Sequence, residues 1–390
     1  MNQTFSRTTD PLPRCAFDVL VLTLGLLCLG VVCTDLYLDT LEGGDPWKQA
    51  DWLVNNLQQP IRRGLFGSVM IWLADVFGIS PLVPVFVLQA TALLGLFAVL
   101  MLVFSQSGNK AALALLAFSP AFVFVFWAAD PAGSLRKELL GYLAISLLLL
   151  AAQFPARMVL IASLSVLLFA LACIGHEINI LLAPVFAMVF SLCLRPSRAV
   201  GVAGLALLAL VCGGSLAYAL SNSAAADHAT ICAPLTERSV GAEFCIGAIL
   251  WMERSAAYGA EQVSIMFLSK RNLGLYFISY GVIAAPLLYL ISRVDRPYLV
   301  FAVAMLLFLP VLPLYPVAVD WGRWMNLHVM SFSFVFVAAL MTRQIKIIRP
   351  VNKIVLGLTI ALGLFWEQSH AGGPRLGGLV DQVVQTIATF

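Results

Sequence analysis

The sequence predicts an all-α protein, a polytopic bundle of transmembrane helices, and three observations carry that prediction. Of the 390 residues, 61% are hydrophobic and only 11% are charged, whereas a water-soluble domain carries about 25% charged residues. The apolar residues run in stretches of about twenty, the length that crosses a hydrocarbon core ~30 Å thick. The charged residues gather between those stretches, as the cost of placing charge in lipid demands. Soluble domains, disulfide-rich secreted scaffolds and disordered chains are excluded by the same figures. A net charge of +3 is too small for nucleic-acid binding, so the position of each charge matters more than the total.

Eleven apolar stretches follow one another, near 15–37, 81–105, 111–129, 139–154, 158–175, 178–194, 199–220, 273–292, 298–318, 325–341 and 354–366. The first has no small-residue cleavage site and runs on into Asp35, Leu36 and Tyr37, so it reads as a retained helix rather than a signal peptide. A cytoplasmic N-terminus places 106–110, 155–157, 195–198, 293–297 and 342–353 inside; these loops are short and basic, which satisfies the positive-inside rule. Apart from Asp10, Asp18 and Asp295, every carboxylate then falls on the outer side.

Segment 65–79 is apolar but contains Asp75 and is bounded by Gly64 and Gly78. It reads as an interfacial helix on the outer face, because a crossing there would turn Arg343, Lys346, Arg349 and Lys353 outward. The chain 1–390 is therefore expected to be a single integral membrane domain. It has a first outer loop at 38–80 and a long outer loop at 221–272, the latter a lid or recognition loop with a surface helix over 247–267. The tail beyond residue 367 is expected outside, with an amphipathic helix over 376–387. Cys232 and Cys245 share the long outer loop and either form a disulfide, which needs an oxidising space such as a periplasm, or remain two thiols. The other six cysteines lie in or at the ends of spans, where cysteine acts as a small hydrophobe.

Four outer clusters carry the candidate chemistry. In the first outer loop Asp35 and Asp39 stand at i and i+4, on one helix face, and suit a general base or a metal site; a solvated helix end is the alternative. Arg62 and Arg63, followed by Gly64, offer bidentate binding of phosphate at headgroup height, or snorkel to lipid phosphates. In the second cluster Arg136, Lys137 and Glu138 open a helix. Cations are unfavourable at a helix N-terminus and on the outer side, so Arg136 and Lys137 answer to an anion, or else to Glu138 or Asp130.

His176 and Glu177 fill a tight turn between apolar runs, an acid/base pair or a helix cap, and lack the spacing of a zinc site. In the fourth cluster Asp320 and Arg323 stand at i and i+3, with Trp321 and Trp324 as interface anchors that can flank a sugar ring; His328, further along, reads as a packing residue. No nucleotide-binding, Walker or serine-elbow motif is present.

These features resemble the membrane glycosyltransferases of the C superfamily and the related polysaccharide polymerases. The likeness rests on the first-loop acids Asp35 and Asp39, on the interfacial segment 65–79, and on the outer arginines Arg62, Arg63, Arg136 and Arg323. The resemblance implies inverting hexosyl or pentosyl transfer from a polyprenyl-phosphate-linked donor to a glycan or lipid acceptor. The reaction would occur at the periplasmic face of a bacterial inner membrane. An acid, by family position Asp35 or Asp39, with Glu177 or Asp320 as the alternatives, activates the acceptor hydroxyl. Arginine or lysine, sometimes with a divalent metal, holds the leaving phosphate. Two rival classes are a transporter or flippase of an anionic lipid or solute, and an outer-face acyl- or phosphotransferase with His176 as base. The first is disfavoured by mid-span stretches nearly free of charge and by the lack of an internal repeat.

Overall fold

The computed structural model describes residues 14–195, 197–223, 227–268, 270–371 and 373–388; Asp10 lies outside the described residues. In chain order the helices are α1 (Arg14–Leu41), α2 (Ala50–Leu53), α3 (Gly64–Phe77), α4 (Leu82–Gln106), α5 (Lys110–Ala117), α6 (Val123–Ala129), α7 (Glu138–Gln153), α8 (Met158–Gly175) and α9 (Ala183–Leu194). They continue as α10 (Arg198–Ser221), α11 (His228–Thr236), α12 (Ala256–Leu268), α13 (Lys270–Ile291), α14 (Pro297–Phe308), α15 (Trp321–Met341), α16 (Lys353–Phe365) and α17 (Gly378–Ala388). Two short antiparallel strands, β1 (Trp366–Glu367) and β2 (Arg375–Leu376), interrupt the pattern near the C-terminus.

Among the described residues eight helical segments are long and apolar enough to cross a membrane, as in an integral helical membrane protein. Three expected stretches fall short of that length. Stretches 139–154 and 354–366 form the shorter helices α7 and α16, and 111–129 breaks into α5 and α6 around Ser119 and Pro120. Proline supplies no backbone N–H and its ring crowds the preceding turn, which favours a break in the helix there. The break is tolerated because every residue from 110 to 130 is buried in protein rather than in lipid. With α7 and α15 these half-helices form the inner layer, while α10 lies at the periphery with its apolar side chains exposed.

Contacts sort the helix ends into two groups. At one end Lys110 Nζ pairs with Asp18 (2.7 Å) and takes the Phe104 carbonyl (3.1 Å). There too Gln153 donates to Val103 O (3.3 Å), Arg195 to Thr342 O (2.7 Å), and Val294 bridges to Ile347. At the other end Trp52 Nε1 donates to Leu135 O (2.8 Å), Gln89 Nε2 to Leu135 O (3.0 Å) and to Lys48 O (3.3 Å), and Asn55 to Ile231 O (2.9 Å). Both termini of α3 belong to this second end. Arg63 before it meets Glu177, and Asp75 near its C-terminus pairs with Arg238 of the long loop (2.6 Å).

The long loop is folded rather than draped. Cys232 in α11 is bonded to Cys245 in the 3-10 turn Ala242–Ile246. The expected helix over 247–267 is split, because Arg254 is extended between the 3-10 turn Leu250–Glu253 and α12. The tail helix α17 buries Leu379, exposes Val384 and Ile387, and packs on α1, α6 and α16.

Between α16 and β2 the chain passes through the interior. Gln368 and Ser369 are buried, the Gln368 side chain bonding Ser279 and Met325 Sδ (2.7 Å). This strap lies so close to α15 that a Cβ on Gly322 would stand 2.0 Å from Ser369 O and 2.6 Å from Gln368 O. Backbone oxygens cannot swing aside, so Gly322→Ala is expected to destabilise the protein by about 1–3 kcal/mol, the usual cost of overpacking. Gly357→Ala, which meets open space inside α16, is expected to be neutral or stabilising. Thermal unfolding of both purified variants in detergent checks the contrast.

Candidate functional site

The second end of the bundle gathers ionisable residues from five separate segments. Arg62 and Arg63 precede α3, Arg136 and Lys137 precede α7, His176 and Glu177 lie between α8 and α9, Asp320 and Arg323 open α15, and Asp51 lies in α2. Four helical segments begin here: α3, α7, the 3-10 turn Glu177–Leu182 and α15. Their N-termini add partial positive charge to that of the side chains.

Two bridges hold the cluster together. Arg63, in a left-handed backbone conformation (φ 69°), turns its side chain onto Glu177, with Nε 2.9 and 3.0 Å from the two carboxylate oxygens and one terminal nitrogen at 2.5 Å. Arg62 stands further off, 3.6 Å from Glu177. Arg323 pairs with Asp320 (2.5 Å) and with Glu138 on α7. The sequence places Glu138 beside Lys137, yet it is Arg323 that it neutralises.

Arg136 and Lys137 are left over. Both are buried, and among the described ion pairs neither has a carboxylate partner. One Arg136 terminal nitrogen donates to Trp47 O (2.6 Å), and its Nε is buried without a partner. Lys137 Nζ reaches the Arg63 carbonyl (3.1 Å). Burial followed by the opposing pull of Asp51 leaves the Lys137 ammonium lowered to about 8, and burial with the nearby Arg323 also lowers Arg136. Burial alone would raise the Asp51 carboxyl, but Lys137, Arg63 and Arg136 hold it well below the usual carboxylate range. An unpaired buried cation costs several kcal/mol, so two adjacent ones are the signature of a place meant for an anion.

His176 is buried and neutral. Burial, then Arg63, brings its imidazole down to about 4, and its Nδ1 accepts the Ile178 N–H (3.1 Å). A neutral ring that accepts at Nδ1 carries its proton on Nε2, so His176 offers a donor rather than a lone pair. Beneath the cations Arg136, Glu138, Tyr142, Arg323 and Asn326 line a cavity of about 10 Å³, with Tyr142 donating to Asn326 (2.9 Å). A cavity of about 340 Å³ lies at the opposite end between α1 and α4, beside Asp18 and away from these residues.

Asp35 and Asp39 do not join the cluster. The Lys48 ammonium pairs with both of them, so a cation already fills the position that a metal ion would need. These residues therefore do not fit a divalent metal, and no step is assigned to one. Among the described residues Asp227, His228 and Glu253 of the long loop bring ligating atoms within 4.8 Å of one another. Hydrogen bonds already use them: Glu253 accepts from His228 N (2.7 Å) and meets its Nδ1 (2.5 Å), while Asp227 caps α11 through Ala229 N (3.0 Å).

Trp321 and Trp324, expected as interface anchors, are buried instead. Trp321 is enclosed by Tyr276, Tyr315 and Phe267 with ring centres 5.2–5.4 Å away, and Trp324 lies under the Arg323 guanidinium at 5.3 Å. His328 packs in α15 with partners at both ring nitrogens, Tyr280 OH (2.6 Å) and Ala304 O (2.9 Å).

Sequence reasoning missed Lys48, Asp51 and His370 as members of this end. Lys48 and Asp51 sat among several loop charges with no periodicity to single them out. His370 lies in a Gly- and Ser-containing tail where only a long-range contact reveals its partner Asp130. No family model, curated protein or solved structure matches the chain.

The pairing pattern makes a stability contrast. Arg323→Met strands the buried Glu138 and the half-buried Asp320 and is expected to cost about 3–5 kcal/mol. Arg136→Met removes a charge that no carboxylate contacts and is expected to leave stability within about 1 kcal/mol of the parent or to raise it; Lys137→Met also takes away the cation that does most to hold the buried Asp51 carboxyl ionised, and is expected to be destabilising, though less so than Arg323→Met. Unfolding midpoints of the three purified variants decide between these outcomes.

Proposed function

We propose that this chain is a membrane glycosyltransferase, or a polymerase of the same chemistry, that takes its sugar from a polyprenyl phosphate or diphosphate carrier. It acts at the periplasmic face of a bacterial inner membrane in the assembly of a surface polysaccharide or glycolipid. The observation that carries this reading is the Arg136–Lys137 pair, two buried cations without carboxylate partners where four helical segments begin. A polyprenyl carrier keeps its chain in the bilayer and its anionic head at the interface, the level at which these cations sit. Cations already in position stabilise the charge that develops on the departing phosphate without reorganisation. The carrier phosphate is itself the leaving group, so no nucleotide site is required.

The arrangement of contacts supports the sidedness that this reading needs. The eight long segments, α7, α16 and the α5–α6 pair alternate in direction, which supports eleven passes with the start of α1 on the cytoplasmic side. Helix α3 begins and ends on the outer side as an interfacial helix. Arg157, Arg195, Arg198, Arg293, Arg343 and Lys346 then fall on the cytoplasmic side, as the positive-inside rule requires. The Cys232–Cys245 disulfide falls on the outer side, in keeping with an oxidising compartment there.

Farnesyl phosphate serves as a probe of the anion site. Each of Arg136→Met and Lys137→Met is expected to weaken its binding by about tenfold or more, since one charge-assisted contact is worth about 1.5–3 kcal/mol. Cells that carry only the variant are expected to lose surface glycan at parental membrane levels of the protein. Unchanged affinity in both variants overturns the reading.

The sign of the pH dependence follows from Lys137. Burial brings its ammonium down to about 8, and a bound anion raises that value. Affinity is therefore level below about pH 8 and falls above it, by up to about tenfold per pH unit, until the higher value of the complex is reached. The phosphate is already a dianion over that range, and Lys137→Met is expected to flatten the profile in a titration of binding against pH.

A further inference from the structure

Transfer of a sugar to a hydroxyl needs a group that accepts the hydroxyl proton, and most carboxylates at this end are already committed to cations. Asp35 and Asp39 are held by Lys48, Glu177 by Arg63, and both Glu138 and Asp320 by Arg323. A carboxylate locked to a guanidinium or an ammonium is a weak base. One imidazole is arranged differently. The Asp130 carboxylate, buried at the end of α6, receives both the backbone N–H of His370 and its ring Nδ1, at 2.8 and 3.0 Å for the ring contacts. A carboxylate bound to Nδ1 fixes the proton there and leaves the lone pair on Nε2.

The setting places His370 beside the segments that carry the cations. The His370 carbonyl accepts the Gly322 N–H (3.1 Å), next to Arg323 at the start of α15. On its other side Gly133, in the turn that leads to Arg136, lies so close that a Cβ there would meet the His370 Cβ at 2.8 Å. The imidazole is thus seated between the segments that carry Arg136 and Arg323. Its side chain is 24% exposed, against 6% for Asp130, and Nε2 has no partner among the described residues. The charged groups that face it are Asp130, Asp320 and Glu367, the last of them paired with Arg375.

We infer that His370, oriented by Asp130, is the general base of this site: its Nε2 takes the proton of the acceptor hydroxyl. The acceptor oxygen forms its bond to the anomeric carbon of the lipid-linked sugar as the bond from that carbon to the carrier phosphate oxygen breaks. The bonding electron pair leaves on the phosphate, which Arg136 and Lys137 hold. The imidazolium that results is stabilised by the Asp130 carboxylate and returns its proton to water. His370 is the catalytic residue in this step and Asp130 its positioning residue. The inference rests on the glycosyltransferase reading above, and adds to it the identity of the proton acceptor.

The experiment uses membrane vesicles from producing cells, which carry their own lipid-linked sugar, together with purified full-length protein. His370→Ala is expected to lower sugar transfer by about 10²–10⁴, the usual contribution of a general base, while farnesyl phosphate affinity stays within about threefold of the parent. Added imidazole is expected to restore part of the lost transfer in His370→Ala, because the ring occupies an accessible position. Asp130→Asn keeps an oxygen for the His370 backbone N–H, so its fold is preserved; it loses transfer because it no longer fixes the ring proton, and imidazole does not restore it.

Transfer near the parental rate in His370→Ala overturns the inference. So does loss of transfer that is accompanied by lost farnesyl phosphate binding, or that imidazole leaves unchanged, since either marks a structural role. If the parent protein itself binds no farnesyl phosphate and transfers no sugar, the reading of the site falls first and takes this inference with it.

Discussion

Two arginine–carboxylate bridges organise the polar end of this bundle. Arg63 holds Glu177, which ties the first outer loop to the turn between α8 and α9, and Arg323 holds Glu138, which ties α15 to α7. A guanidinium that binds a carboxylate through two or more nitrogen contacts satisfies geometry and charge together. Once those acids are consumed, no carboxylate is left in contact with Arg136 or Lys137, and Asp51 alone offsets their charge from further off. The surplus of positive charge is thus a consequence of how the other charges pair, and it is what prepares the site for an anion.

The scaffold beneath is built to keep that surplus in place. The half-helices α5 and α6, with α7 and α15, form a buried interior that is shielded from lipid by the longer helices. Because protein surrounds them, the Pro120 break and the polar side chains of Asn326 and Tyr142 are tolerated at membrane depth. Strap 366–370 passes through the same interior against α15, and its backbone contacts at Gly322 bring His370 to Asp130. The packing of a small glycine against a backbone segment is therefore connected to the proposed chemistry through one short stretch of chain.

Much of this was legible before any coordinates. The short outer turns at 130–138 and 175–177, the arginines before α3 and the start of α15 stood out because each broke an apolar run. All of them meet at one end of the bundle. The interior helices were harder to recognise as such, since periodicity cannot distinguish an apolar helix that faces lipid from one that faces protein. That is why 111–129 reads as an unbroken span, while α5 and α6 are separated by a proline turn within the protein. The tryptophans of the fourth cluster show the same ambiguity, since an aromatic at a helix start reads as an interface anchor whether or not other rings cover it.

The order of residues by itself determined the class of this protein and the grouping of its charges. Apolar run length and the exclusion of charge from lipid are local properties, written along the chain. Only the tertiary structure decided which charge neutralises which. Glu138 follows Lys137 directly but pairs with Arg323, 185 residues away, and Asp130 finds its partner in His370 across 240 residues. Electrostatic partnership is set by distance in space, and proximity along a chain folded into antiparallel helices does not reveal it.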